Sequence, residues 1–101
     1  MRIEGLEIRS ISAADTYPLR HLVLWPAKPY HYVQLEDDAT GKHFGGFVKN
    51  ELVAVISLFV EGPEARFREF ATHPSFRKQG IGSRLLLHIL AVAQEVGAHS
   101  L

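Results

Sequence analysis

Cysteine is absent from the 101 residues, which removes disulfides, thiolate metal sites and a cysteine nucleophile, and is compatible with a reducing cytoplasm. Net charge is absent too. Eleven Lys and Arg balance eleven Asp and Glu, so no broad field exists to hold nucleic acid or an anionic membrane, and neither is expected as a partner. There is no long apolar run. The start, Met1-Arg2-Ile3-Glu4-Gly5, carries an acidic residue and reads as neither a signal peptide nor a membrane span. Internal repeats and low-complexity tracts are also missing. His43, His88 and His99 lack metal-ligand spacing and are read as structural or surface residues, and no metal site is expected. What is present is 47% hydrophobic content, enough for one core and too little chain for two. A chain this small buries about 60 to 65% of its unfolded surface, and residues 1–101 are read as a single domain.

Leu6-Glu7-Ile8-Arg9-Ser10-Ile11 alternates apolar and polar residues, as a half-buried strand does. Ser12 with Asp15 three residues on makes a capping-box start for a helix, and Thr16 ahead of Pro18 offers a later one, since proline is tolerated in a first turn. Either start gives a helix running to about Leu24. Trp25-Pro26-Ala27-Lys28-Pro29 ends it, a loop with a short helical turn runs through Gln34, and Asp37 to Gly41 is a turn cluster. His43 to Lys49 and Leu52 to Val60 read as strands of a tight hairpin turning at Asn50-Glu51. After a turn at Glu61 to Glu64, Ala65 to Thr72 forms the next strand, with Phe67, Glu69 and Ala71 on one face and Arg66, Arg68, Phe70 and Thr72 on the other. Pro74 keeps His73 extended.

The last helix has the clearest pattern. At about 100° per residue, Ile81, Leu85, Ile89, Val92 and Val96 share one arc, widened by Leu86 and Ala93, while Ser83, Arg84, His88, Gln94 and Glu95 lie opposite. Gly97 suits a C-terminal cap, and Ala98-His99-Ser100-Leu101 resembles the opening of another strand.

Between the strand ending in Ala71-Thr72-His73-Pro74 and this helix lies Arg77-Lys78-Gln79-Gly80-Ile81-Gly82. Backbone N–H groups at a helix N-terminus, little shielded where glycines stand, can hold a phosphate. Two other phosphate motifs are excluded: Gly-x-x-x-x-Gly-Lys-Ser/Thr does not occur, and Leu85 stands where the dinucleotide fingerprint needs its third glycine. Arg-x-x-Gly-x-Gly after a strand closing in Thr-x-Pro resembles the acyl-CoA motif of the GCN5-related N-acetyltransferases (GNAT), most closely over Phe67 to Leu86.

That resemblance implies an α/β (α+β) fold with a mostly antiparallel twisted sheet and flanking helices, truncated after the helix that follows the fourth strand. It implies acetyl-CoA as cosubstrate. By position, main-chain groups of Phe70, Ala71 and Thr72 would bond the pantetheine arm, and Arg77, Lys78, Gln79, Gly80, Ile81, Gly82 and Ser83 would hold the pyrophosphate. It further implies direct attack on the thioester by a small-molecule amine or a protein amino group, without a covalent enzyme intermediate. An alkyl ammonium has a pKa near 10, so a base or water chain must deprotonate it. No residue is assigned that role: Glu69 is the nearest carboxylate but reads as a surface or salt-bridged side chain, and His73 as exposed polar surface. Arg20, His21, Trp25, Tyr30, His31 and Tyr32 fall where the family holds its acceptor, and packing under a loop explains them equally. The alternative is a shortened, non-catalytic CoA-binding or dimerising module. The family's next strand, helix and hairpin have no counterpart here. Accordingly, either about 40 further residues are encoded, a figure taken from typical domain size, or two chains form a homodimer that covers the open edge.

Overall fold

The computed structural model describes residues 5–98. Four strands, β1 (Leu6–Ile11), β2 (Lys42–Val48), β3 (Glu51–Glu61) and β4 (Glu64–Thr72), form one antiparallel sheet in chain order. Helix α1 (Ala13–Leu19) lies on one face and α2 (Ile81–Glu95) on the other. The larger core is on the α2 face, where Ile81, Leu85, Ile89 and Ala93 meet Phe44, Ala54, Ile56 and Leu58. On the α1 face Leu19, Val55 and Ala71 are joined by Ile11, Val23, Leu24 and Leu52.

Ser12 is the cap of α1. Its hydroxyl accepts from the Asp15 N–H while Asp15 reaches back to the Ser12 N–H, and Thr16, the other possible cap, bonds the Ala13 carbonyl at 2.6 Å. Pro18 therefore stands beyond the first turn, contrary to the rule used above to place it. Having no N–H, it interrupts the helical ladder, and the chain continues as a π-helix over Arg20–Leu24, with the Trp25 N–H bonding the Arg20 carbonyl at 3.3 Å. The short helical turn expected in the loop is a 3₁₀ turn at Tyr30–Val33, and the turn cluster from Asp37 to Gly41 falls largely within a second 3₁₀ turn at Glu36–Thr40.

The β2–β3 hairpin turns at Lys49-Asn50, one residue earlier than Asn50-Glu51, with φ of 51° and 65°. That pair of left-handed residues matches the twist of the strands it joins. β4 departs from strict alternation. Val55 pairs with Ala71 and Ser57 with Arg68, so two residues, Glu69 and Phe70, oppose Ile56 alone. This is a β-bulge, with Glu69 in the left-handed region at φ 56°. Phe67 consequently shares the α2 face with Phe70, their rings edge to face at 6.3 Å, whereas Arg66, Arg68 and Ala71 lie on the α1 face.

Helix α2 ends in a Schellman motif, the Ala98 N–H bonding the Ala93 carbonyl and the Gly97 N–H that of Gln94. Val96 caps the helix and is 44% exposed, so the apolar arc stops short of it. Of the strand expected to open over Ala98 to Leu101, Ala98 closes the helix cap and the rest lies outside the described residues, as do Met1 to Glu4 of the start read as neither signal peptide nor membrane span. Among the described residues no helix is long and apolar enough to cross a membrane.

Ile89, with no exposed surface, and Leu87, 66% exposed, share this helix. Ile89→Ala is expected to cost about 2–5 kcal/mol in denaturant unfolding, and Leu87→Ala no more than about 0.5 kcal/mol.

Candidate functional site

The passage from β4 to α2 is built from local bonds. The His73 N–H donates to the Val53 carbonyl at 2.8 Å, which pins the strand end. A 3₁₀ turn follows at Pro74–Phe76, the Ser75 N–H donating to His73 Nδ1 at 3.1 Å. His73 is thus a half-buried turn cap rather than free surface. Arg77 folds back, its Nε donating to the Thr72 carbonyl at 3.4 Å, and Lys78 takes a φ of 63°.

The two glycines have different duties. Gly80, the N-cap of α2, has φ 81° and open space where a Cβ would stand; it is there for its backbone. Gly82 has ordinary φ, but a Cβ would come within 3.0 Å of the Phe70 ring, so its bareness lets helix and strand approach. No side chain caps the helix. The N–H groups of Ile81, Gly82 and Ser83 lie in the first turn, where the helix offers no acceptor, and among the described residues no backbone bond from another segment takes them. Here the residues singled out from the sequence come together: Phe70, Ala71 and Thr72 in an edge strand, Arg77 to Ser83 in the loop and first turn beside it. Ala71 is turned inward, its side chain buried on the α1 face and its main chain, in step with the His73–Val53 bond, directed at β3.

That face carries a buried polar network. Arg20 and Ser57 have no exposed surface, and His43 and Asp38 are 5% and 6% exposed. The Arg20 guanidinium donates to both Asp38 carboxylate oxygens at 2.8 and 3.0 Å, to the Val33 carbonyl at 2.9 Å and to the Ser57 hydroxyl at 3.0 Å. His43 bridges Ser57 Oγ at 2.7 Å and the Asp38 carbonyl at 2.9 Å. Burial opposes the Asp38 charge, but hydrogen bonds from Arg20 and the Leu35 N–H outweigh it and hold the carboxyl below its ordinary value.

Glu69 stands beside this network. Its side chain is 7% exposed, 3.5 Å from Arg68, so it is salt-bridged but not a surface group. Burial pushes its carboxyl pKa up, against the pull of Arg20 and Arg68. Of the other residues expected near an acceptor, His21 and Tyr30, with ring centres 5.4 Å apart, and Trp25 and Tyr32, 5.3 Å apart, form aromatic pairs on the loop. Arg20 is separate, fully buried below them. The sequence did hold a signal for it: Thr16, Leu19, Arg20, Val23 and Leu24 recur at helical spacing on one face, and only arginine among them is charged.

The family model described as Acetyltransferase (GNAT) family matches residues 7–101. The chain belongs to this family. It is 35% identical over 92 residues to the uncharacterized N-acetyltransferase YitI of Bacillus subtilis, covering 82% of this chain and 62% of that protein. Among solved structures, a GNAT acetyltransferase from Elizabethkingia anophelis with acetyl-CoA bound superposes with a TM-score of 0.74 at 22% identity, over 92% of this chain and 60% of that one. The PaiA N-acetyltransferase of Thermoplasma acidophilum, in complex with coenzyme A, gives 0.67 at 18% identity, over 91% and 74%. These likenesses show the fold, and the GNAT chain described here spans less than two thirds of the Bacillus and Elizabethkingia proteins.

The lowered Asp38 pKa fixes the sign of an acid effect in this GNAT domain. Its stabilisation is complete above the ordinary carboxylate value of 3.8 and is lost as pH falls through the lower folded value. Asp38→Ala, which strands a buried arginine, is expected to cost about 3–5 kcal/mol at neutral pH and to weaken the acid dependence, read as denaturant midpoint against pH.

Proposed function

We propose that this chain transfers an acetyl group from acetyl-CoA to a primary amine, either a small molecule or a protein amino group, by direct attack in the cytoplasm. The observation that carries this reading is the junction of a strand edge that no described residue covers with a helix N-terminus whose first three N–H groups have no partner among the described residues. The residues present fit the ligand: Gly80 leaves open space at the helix start, and Arg77, Lys78 and Arg84 are the charged residues of the adjoining loop and first helical turn.

When bound, acetyl-CoA supplies an activated thioester carbonyl. Main-chain groups at this end of β4 would align the pantetheine arm as a partner strand would, those of Thr72 turned to the open edge and those of Ala71, in step with the His73–Val53 bond, turned to β3. The bulge takes Glu69 and Phe70 out of the regular ladder, and an N–H freed there is suited to the carbonyl oxygen as it gains charge. Phe70, packed against Gly82, fixes the strand relative to the helix and so sets the distance between the two sets of donors. Glu69 is the group for the amine proton. It is a carboxylate whose burial raises its proton affinity toward that of an ammonium, and it projects to the face that carries the loop aromatics.

Calorimetric titration with acetyl-CoA is expected to show saturable binding, weakened at least about tenfold, or about 1.4 kcal/mol, in Gly80→Val; undiminished binding in that variant would sink the cradle. Glu69→Gln is expected to leave this affinity alone and to lower amine acetylation, followed by CoA release, by about 10²- to 10⁴-fold. A second reading, the non-catalytic or dimerising module, is favoured by the uncovered edge of β4. It requires light scattering to report twice the 11.3 kDa chain mass, with CoA bound but not turned over.

A further inference from the structure

The guanidinium of Arg20 has five N–H donors. Four are used, two on Nη1 by Val33 and Asp38 and two on Nη2 by Asp38 and Ser57. The fifth, on Nε, is buried and finds no acceptor among the described residues. Leaving a charged donor unmet is costly, so a polar group must serve it. The register shows which one is near. Ser57, bonded to Nη2, pairs across the ladder with Arg68, and the next residue is the bulged Glu69, whose carboxylate is buried on this same face.

We propose that Arg20 is a positioning residue for the amine-accepting step, its Nε–H reaching the Glu69 carboxylate through one bridging water and coupling proton uptake there to the Arg20, Asp38, Ser57 and His43 network. The catalytic meaning of this coupling rests on the acetyltransferase reading, whereas the coupling itself belongs to the folded chain. Every element packed around Glu69 contributes a group. Arg20 comes from the π-helical turn, Asp37 and Asp38 from the turn at Glu36–Thr40, His43 from β2 through Ser57, and Arg66 and Arg68 from β4, the last two 3.8 and 3.5 Å from Asp37. Arg68 is in direct contact with Glu69 at 3.5 Å, and Arg20 and Arg68 both pull against the burial that raises its pKa. A carboxylate held between Arg68, 3.5 Å from one of its oxygens, and a fixed guanidinium behind it keeps one orientation. The proton leaves the ammonium nitrogen, resides on a Glu69 oxygen and passes from there to solvent.

The test uses the full chain, labelled for NMR. The Arg20 Nε–Hε resonance and the Glu69 side-chain carboxyl carbon are followed against pH. They are expected to titrate with one midpoint, and in Glu69→Gln the Arg20 resonance persists but no longer moves at that midpoint. An Arg20 resonance that ignores the Glu69 titration, or one that still shifts identically in Glu69→Gln, overturns the proposal. Arg20→Lys keeps the charge and loses the Nε–H. It is expected to lower kcat about tenfold or more with the KM for acetyl-CoA unchanged, and equal loss in both would indicate a merely structural residue. The measurement on the unaltered chain decides the matter even where that variant does not fold. Tracking without turnover of any amine removes the acetyltransferase reading alone; turnover without tracking removes the role of Arg20 alone.

Discussion

A single extra residue in β4 reconciles two demands on one strand. Counting back from Ala71, strict alternation would turn Arg66 and Arg68 toward α2 and Phe67 toward the α1 face. Phe67 pairs with Leu58, a fully buried residue of the α2 core, and Arg68 pairs with Ser57, in the polar network on the other side. The bulge at Glu69 switches parity, so that both halves of the strand present the correct face. Its cost is a glutamate in left-handed backbone, of order 1–2 kcal/mol. Misplacing two arginines under a helix would cost far more, since unpaired buried charges are tolerated poorly. Glu69 keeps the α1 face and Phe70 the α2 face, as alternation from Ala71 requires, and the switch acts on Arg68, Phe67 and Arg66 beyond them.

Arg20 plays a comparable part for the segment before the sheet. Between α1 and β2 the chain has only short turns, and Val33 is its only buried hydrophobic residue. Apolar burial therefore contributes little to its placement. The guanidinium bonds Val33, Asp38 and Ser57 together, fixing both 3₁₀ turns to the central strand. A buried ion pair is a weak source of net stability, but one with multiple directional bonds discriminates against other arrangements of a loop. The break at Pro18 favours this geometry, because the wider π-helical turn begins at Arg20 itself.

How much was legible in the sequence follows from this division. Helix α2 was legible because fifteen residues of steady period, an opening glycine and a closing glycine agree with one another. The order and direction of the strands were legible from alternation and turn residues. The bulge was not: a left-handed residue usually declares itself as Gly or Asn, whereas Glu69 is held there by the tertiary structure around it. The hairpin turn was misplaced by one residue for a related reason, since Lys49 gives no sign that it will accept positive φ although Asn50 does. Gly82 was read as serving a ligand, and its nearest neighbour proved to be an aromatic ring. Sequence spacing showed where a phosphate loop could stand, but distinguishing a glycine needed for conformation from one needed for contact required coordinates.

Balanced total charge conceals a segregated one. From Phe70 to Gln94 the chain carries Arg77, Lys78 and Arg84 and no carboxylate, so the helix N-terminus is cationic in side chains as well as in its partial charge. On the opposite face Arg20, Arg66 and Arg68 are matched by Asp37, Asp38 and Glu69. The cationic stretch follows the C-terminal end of β4 and the paired charges line its α1 face, so a chain with no net charge still holds an uncompensated positive region at the start of α2. The two environments are only a few residues apart because the sheet itself divides them, Glu69 standing on the α1 face and its neighbour Phe70 on the α2 face.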